Sequence, residues 1–150
     1  MAHIDKSIVV NVPVQTAYNQ WTQFEEFPNF MEGVERVEQI DDTRLHWAAK
    51  IGRKKKKWDA EIVEQIPDRR IAWRATDGAP NGGAVTFEPI DADSTRITTR
   101  IDYDPDSMAE KAGDAMGITE RRVGGDLERF KEMIEHRGVE TGAWRGEVRR

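Results

Sequence analysis

The sequence contains no cysteine, which excludes a disulfide framework and thiol chemistry. It contains no apolar run near the ~20 residues that cross a bilayer. The opening MAHIDKSIVV places charges before and inside a very short apolar stretch, unlike a secretory leader, so a cytoplasmic protein is expected. Histidine is scarce, and none of the three falls where chemistry needs it. His3 is near the terminus, His46 falls on the polar face of a strand, and His136 falls in the last turn of a helix, where it suits the helix dipole. No paired carboxylates, Ser-His-acid set or metal-ligand cluster emerges, so neither metal nor cofactor is expected. Basic residues are outnumbered 23 to 28, for a net charge of −5. Nucleic-acid-binding domains carry a basic excess on one face. Such a role would here rest on Lys54–Lys57 alone.

What is present suits one domain. The 150 residues are enough for a single core, and 37% apolar with 34% charged is a polar but globular mixture. SIVVNVP alternates Ile8, Val10 and Val12 on one face, a strand ended by Pro13. Val14, Tyr18 and Trp21 then recur at helical spacing. FEEFPNFM reads as a second short helix or turn limited by Pro28, plugging one end of the core. Val34 to Ile40 alternates imperfectly, which suggests a bulge. RLHWAAKI then points Leu45, Trp47, Ala49 and Ile51 one way.

In GRKKKKWDAEIVEQI, Trp58, Ala60, Ile62 and Ile66 share a face, with Glu64 in the same phase. Residues directly opposed across a hairpin share a face, so the connecting loop holds an even number of residues. A two-residue Gly52-Arg53 loop sets Trp47 opposite Trp58; a four-residue loop sets Ala49 there instead. Either way the lysines crown a hairpin tip, where alternation spreads them over both faces and protects the edge. The competing reading is a contact with an anionic surface.

Further strands follow, burying Ile71, Trp73 and Ala75, then Val85 and Phe87, then Ile97, Thr99, Ile101 and Tyr103. Residues 33–103 thus read as a six-stranded antiparallel meander with one apolar face that needs a cover. The cover is a long helix opened by the capping box Ser107–Glu110. It carries Ala112, Met116, Val123, Leu127, Phe130 and Ile134 at three-and-four spacing and stops at Gly138. Gly113, Gly117 and Gly124 lie on one flank of it. They either leave room beside the sheet for a ligand or bend, or mark fraying or close packing. The domain is expected to span 1–138, with 139–150 a flexible tail in which Trp144 could dock on the body or a partner.

The order strand, two short helices, meander, long helix resembles the helix-grip fold of the SRPBCC superfamily. This superfamily contains birch-pollen-allergen-like, START-like and polyketide cyclase/dehydrase-like proteins. VNVPVQTAYNQWTQFEEFPNFMEGVERVE resembles the opening of the polyketide cyclase/dehydrase-like group, and IAWRATDGAPNGGAVTFEPI with STRIT resembles its central strands. The resemblance spans residues 4 to about 137 and implies an α+β fold. In that fold a curved seven-stranded antiparallel sheet wraps a long C-terminal helix, with two short helices after strand 1. It also implies an apolar cavity used by relatives for lipids, quinones, hormones or polyketide chains.

Parity places Trp47, Trp58, Trp73, Phe87, Thr99 and Tyr103 toward that cavity, with Met116 and Leu127 from the helix. It also allows a row of Trp73, Phe87 and Thr99 across the sheet. The same residues could equally fill a closed core. Of the titratable groups, Glu64 and Tyr103 share the inward phase, and Arg36 joins them if the second strand bulges. Three readings stand. The first is a binder of a small hydrophobic molecule, lipid-, quinone- or polyketide-like. The second is a polyketide cyclase or dehydratase with Tyr103, Glu64 and Arg36 as polar participants. The third is a packed interaction protein contacting a partner through the Lys54–Lys57 tip or Trp144.

Overall fold

The computed structural model describes the backbone of residues 2–51, 54–77, 81–103 and 115–149, and the side chains of 3–50, 55–77, 81–102 and 121–148. Strand β1 (Ala2–Val10) leads through Pro13 into helix α1 (Val14–Trp21) and a 3₁₀ helix (Phe24–Asn29). The meander follows as β2 (Val34–Gln39), β3 (Arg44–Ile51), β4 (Lys54–Ile66), β5 (Arg70–Ala75), β6 (Asn81–Asp91) and β7 (Ser94–Tyr103). Helix α2 (Ala115–Arg137) and a two-residue strand β8 (Val148–Arg149) complete it. The sheet order is β1-β7-β6-β5-β4-β3-β2, each pair antiparallel, so the meander returns to β1. This is the helix-grip architecture: a curled seven-stranded antiparallel sheet with a long C-terminal helix. The expected capping box Ser107–Glu110 lies outside the described residues.

The core forms where the first helical segment meets α2. Tyr18, Trp21, Phe24, Phe27 and Phe30 are all buried, as are Leu127, Phe130 and Ile134 one helical face apart. Ring centroids lie 4.7 Å apart for Trp21 and Phe130 and 5.1 Å apart for Phe30 and Phe130. Such tilted and edge-on pairs suit the aromatic quadrupole. Gly138 ends α2 at φ 77, its N–H bonded to the Ile134 carbonyl at 2.8 Å. A side chain would resist that left-handed backbone.

The hairpin register follows the shorter loop: Ile51 pairs with Lys54 and Trp47 with Trp58. Ala49 pairs with Lys56, which excludes the four-residue alternative. Lys55 and Lys57 are exposed on one face and Lys56 is half-buried on the other.

Three expectations are corrected by register. In β4 the pairing shifts between Ile62 and Glu64, so beyond the bulge Gln65 turns inward and Glu64 outward. In β2 the expected bulge exists between Val34 and Arg36. It leaves both Glu35 and Arg36 exposed and restores the inward phase at Val37, which is buried. Trp73, Phe87 and Thr99 do not form a row. Trp73 is level with Gly83 and Ile101, Thr99 with Val85 and Ile71, and Phe87 with Ile97.

Residues 139–149, expected as a flexible tail, run along α1. The reason is a set of buried polar side chains on that helix. Asn19 donates to Glu140 Oε2 at 2.8 Å and accepts from Arg145 Nη1 at 2.6 Å. Gln20 and Thr141 exchange two bonds at 3.0 and 2.9 Å, and the Trp144 N–H donates to Thr22 Oγ1 at 3.1 Å. Asn19, Gln20 and Thr22 are each no more than 5% exposed, so without the tail their bonding groups would turn to water. β8 then pairs with Glu64 and Gln65, on the stretch of β4 beyond its pairing with β3.

Candidate functional site

Between the concave face of the sheet and α2 lies a cavity of about 240 Å³. Its walls come from separate parts of the chain. The sheet supplies Trp47, Trp58, Trp73 and Thr99, the segment after β1 supplies Phe24 and Phe27, and α2 supplies Val123, Asp126 and Leu127. The indoles of Trp47 and Trp58 stack face to face, centroids 5.7 Å apart and 8° from parallel, as their register requires. Trp73 lies over Gly83. A Cβ on Gly83 would sit 2.8 Å from the Trp73 ring and 2.5 Å from the Arg100 carbonyl, so only glycine admits the ring there.

Of the residues expected to face a ligand, Trp47, Trp58, Trp73, Thr99 and Leu127 line this cavity. Phe87 does not: it is buried deeper, edge-on to Tyr18 at 5.4 Å and to Trp21 at 6.2 Å. The side chains of Tyr103 and Met116 lie outside those described. Glu64 is turned outward by the β4 bulge and accepts from Arg70 Nε at 2.6 Å. Arg36 is 62% exposed and paired with Glu38 at 2.8 Å. The bulges thus remove two of the three candidate polar participants from the cavity.

The residue that pattern-reading passed over is Asp126. It is the one charged side chain on the described lining. It stands three residues after Val123 and four before Phe130, so helical spacing alone places it on the apolar stripe of α2. Its Oδ1 accepts from the Glu32 N–H at 2.9 Å and from Arg129 Nη2 at 2.6 Å. Burial pushes its carboxyl above the usual range, outweighing these bonds and the nearby guanidinium groups of Arg129 and Arg122. Arg129 is itself held by the Phe30 carbonyl at 2.8 Å, which ties α2 to the turn after the 3₁₀ helix.

Two further polar atoms in lining residues have no hydrogen-bond partner among the described residues: Trp47 Nε1 and Thr99 Oγ1, both buried. Among the described residues no group of His, Cys, Asp and Glu could hold a metal ion, and no helix is long and apolar enough to cross a membrane. Over its described wall the arrangement is an apolar, aromatic chamber with one carboxyl.

Residues 10–132 match the family described as polyketide cyclase/dehydrase and lipid transport. The chain belongs to that family. A Streptomyces lincolnensis relative is 54% identical over 149 residues, covering 99% of each chain. It is an uncharacterized 17.2 kDa protein of the melC2-rnhH intergenic region. Among solved structures, the Zhui aromatase/cyclase from Streptomyces sp. R1128 superposes with a TM-score of 0.77 at 16% identity, covering 95% of this chain and 99% of that one. A START superfamily protein from Mycobacterium smegmatis superposes with a TM-score of 0.70 at 14% identity, covering 90% of this chain and 95% of its own. At such identities the structures share the polyketide cyclase/dehydrase fold, and each chain's chemistry rests on its own side chains.

Proposed function

We propose that this protein binds a small hydrophobic molecule, lipid-, quinone- or polyketide-like, in the cavity between the sheet and α2. The observation that carries this reading is the cavity itself: about 240 Å³ walled by four indoles, two phenyl rings and aliphatic side chains. Concave apolar sites with few polar groups are what such ligands require. Native mass spectrometry of protein purified from its own host tests it. The expected result is a bound mass that is released on unfolding. The bare chain mass, together with no uptake of added naphthalene, would contradict it.

One observation favours a second reading, catalysis of a cyclisation or dehydration on a polyketide-like chain. Asp126 presents a carboxyl whose burial favours the protonated form, the state a general acid needs. In a dehydration it gives its proton to the departing hydroxyl, which leaves as water, and takes one back from the adjacent carbon as the double bond forms. Asp126→Asn would then abolish turnover while the substrate analogue still binds. Turnover unchanged in that variant would sink this reading and leave the first intact.

A further inference from the structure

Asp126 is the one charged side chain on the described cavity wall, and that charge bears on what kind of hydrophobic molecule fits. Both described hydrogen bonds to the Asp126 carboxyl end on Oδ1. Oδ2 therefore has no hydrogen bond among the described residues. The side chain is 17% exposed and borders the cavity. Arg129 and Arg122 stand close enough to influence it, yet neither lines the cavity. Arg129 is spent on Asp126 and on the Phe30 carbonyl. A ligand carboxylate entering here meets a carboxyl and no cation within the described wall.

We propose that Asp126 makes the cavity selective for neutral ligands bearing a hydrogen-bond donor, such as a phenol or alcohol, and against carboxylate-bearing ones such as free fatty acids. The inference rests on the cavity-binding reading and names the ligand class for that site. Oδ2 accepts the bond from a ligand hydroxyl. An anionic head group must either sit against a second negative charge or draw a proton onto it, and both weaken binding in a site shielded from water. Burial already raises the proton affinity of this carboxyl, so its environment gives a negative charge little support.

Three ligands of one shape test this at neutral pH by isothermal titration calorimetry: naphthalene, 2-naphthol and 2-naphthoate. The native protein should bind 2-naphthol at least as tightly as naphthalene, and 2-naphthoate at least about tenfold more weakly. Asp126→Asn keeps an acceptor for the Glu32 N–H and removes the charge. It should tighten 2-naphthoate about fivefold or more relative to naphthalene measured on the same variant. If the native protein takes 2-naphthoate as well as 2-naphthol, or the variant leaves their ratio untouched, Asp126 is no selector and the cavity reading survives. If even naphthalene fails to bind the native protein, both the cavity reading and this inference fall. The comparison within the native protein stands even if the variant does not fold.

Discussion

Trp47 and Trp58 face each other across the β3–β4 hairpin and stack 5.7 Å apart, 8° from parallel. The pair forms one wall of the cavity and is the product of hairpin parity: a two-residue connection between Ile51 and Lys54 brings the two indoles level. Two stacked indoles couple electronically. Trp58→Phe should therefore remove an exciton couplet from the circular dichroism spectrum and cost about 1 kcal/mol of stability. A spectrum unchanged by this substitution would mean the indoles are not stacked.

Glycines 83 and 124 should respond to alanine in opposite directions. At Gly83 the new Cβ collides with the Arg100 carbonyl and the Trp73 ring. Gly83→Ala should destabilise by about 1–3 kcal/mol through overpacking. At Gly124, apart from its own stretch of helix, nothing among the described residues lies within 4 Å of the new Cβ, and the residue is inside α2. Gly124→Ala should stabilise by up to about 1 kcal/mol. Urea unfolding of both variants provides the comparison.

Thr99 Oγ1 is buried in an apolar wall and has no hydrogen-bond partner among the described residues. Thr99→Val keeps the shape and removes the unsatisfied group. It should raise the stability of the ligand-free protein by about 1 kcal/mol, read from the same unfolding experiment.

Asp126 should set a pH dependence of stability. Its folded-state pKa is raised by burial above the ordinary 3.8, so between those two values the folded chain holds more proton than the unfolded one. Stability contributed by the protonated carboxyl is full below 3.8 and is lost as pH rises through the folded pKa. Asp126→Asn removes this loss. The variant should therefore gain on the native protein as pH rises from 3.8, when both are unfolded by urea across a pH series. A constant difference across the series would contradict the buried setting of the carboxyl.

Removing residues 139–150 should destabilise the domain. The tail satisfies Asn19, Gln20 and Thr22 and places the Arg145 guanidinium 5.7 Å over the Tyr18 ring. At roughly 0.5–1 kcal/mol net for each of these hydrogen bonds, the loss should be about 3–5 kcal/mol, measured by thermal or urea unfolding. An unchanged midpoint would show the tail to be a passive extension.

Much of the fold is legible in the residues because alternation and hairpin parity are local rules. Trp47, Trp58, Trp73 and Thr99 alternate cleanly on their strands, and all four line the cavity. Glu64 faces out because a bulge inverts the phase of every residue beyond it, and nothing local in AEIVEQI marks the inserted position. In VERVE the imperfect alternation does signal the bulge, but not its exact place, which brings Val37 inward and leaves Arg36 outside. Phe87 alternates correctly but sits at the level of Ile97, below the cavity, since the level along a strand depends on the stagger of the whole sheet. The sequence leaves docking of the tail through Trp144 open for a related reason. Its partners Asn19, Gln20 and Thr22 look like solvent-facing polar residues until a distant segment covers them. Asp126 was within reach: a carboxylate between Val123 and Phe130 on an apolar stripe is a conflict that helical spacing exposes.

The most direct test of the central claim is a naphthalene titration of two proteins by calorimetry, the native chain and Ile101→Trp. Ile101 is half-buried at the cavity wall, where an indole would occupy the space a ligand needs. The account predicts one molecule bound per native chain and none, or binding weakened at least about tenfold, in the variant. Equal binding by both, or no binding by the native chain, would contradict it.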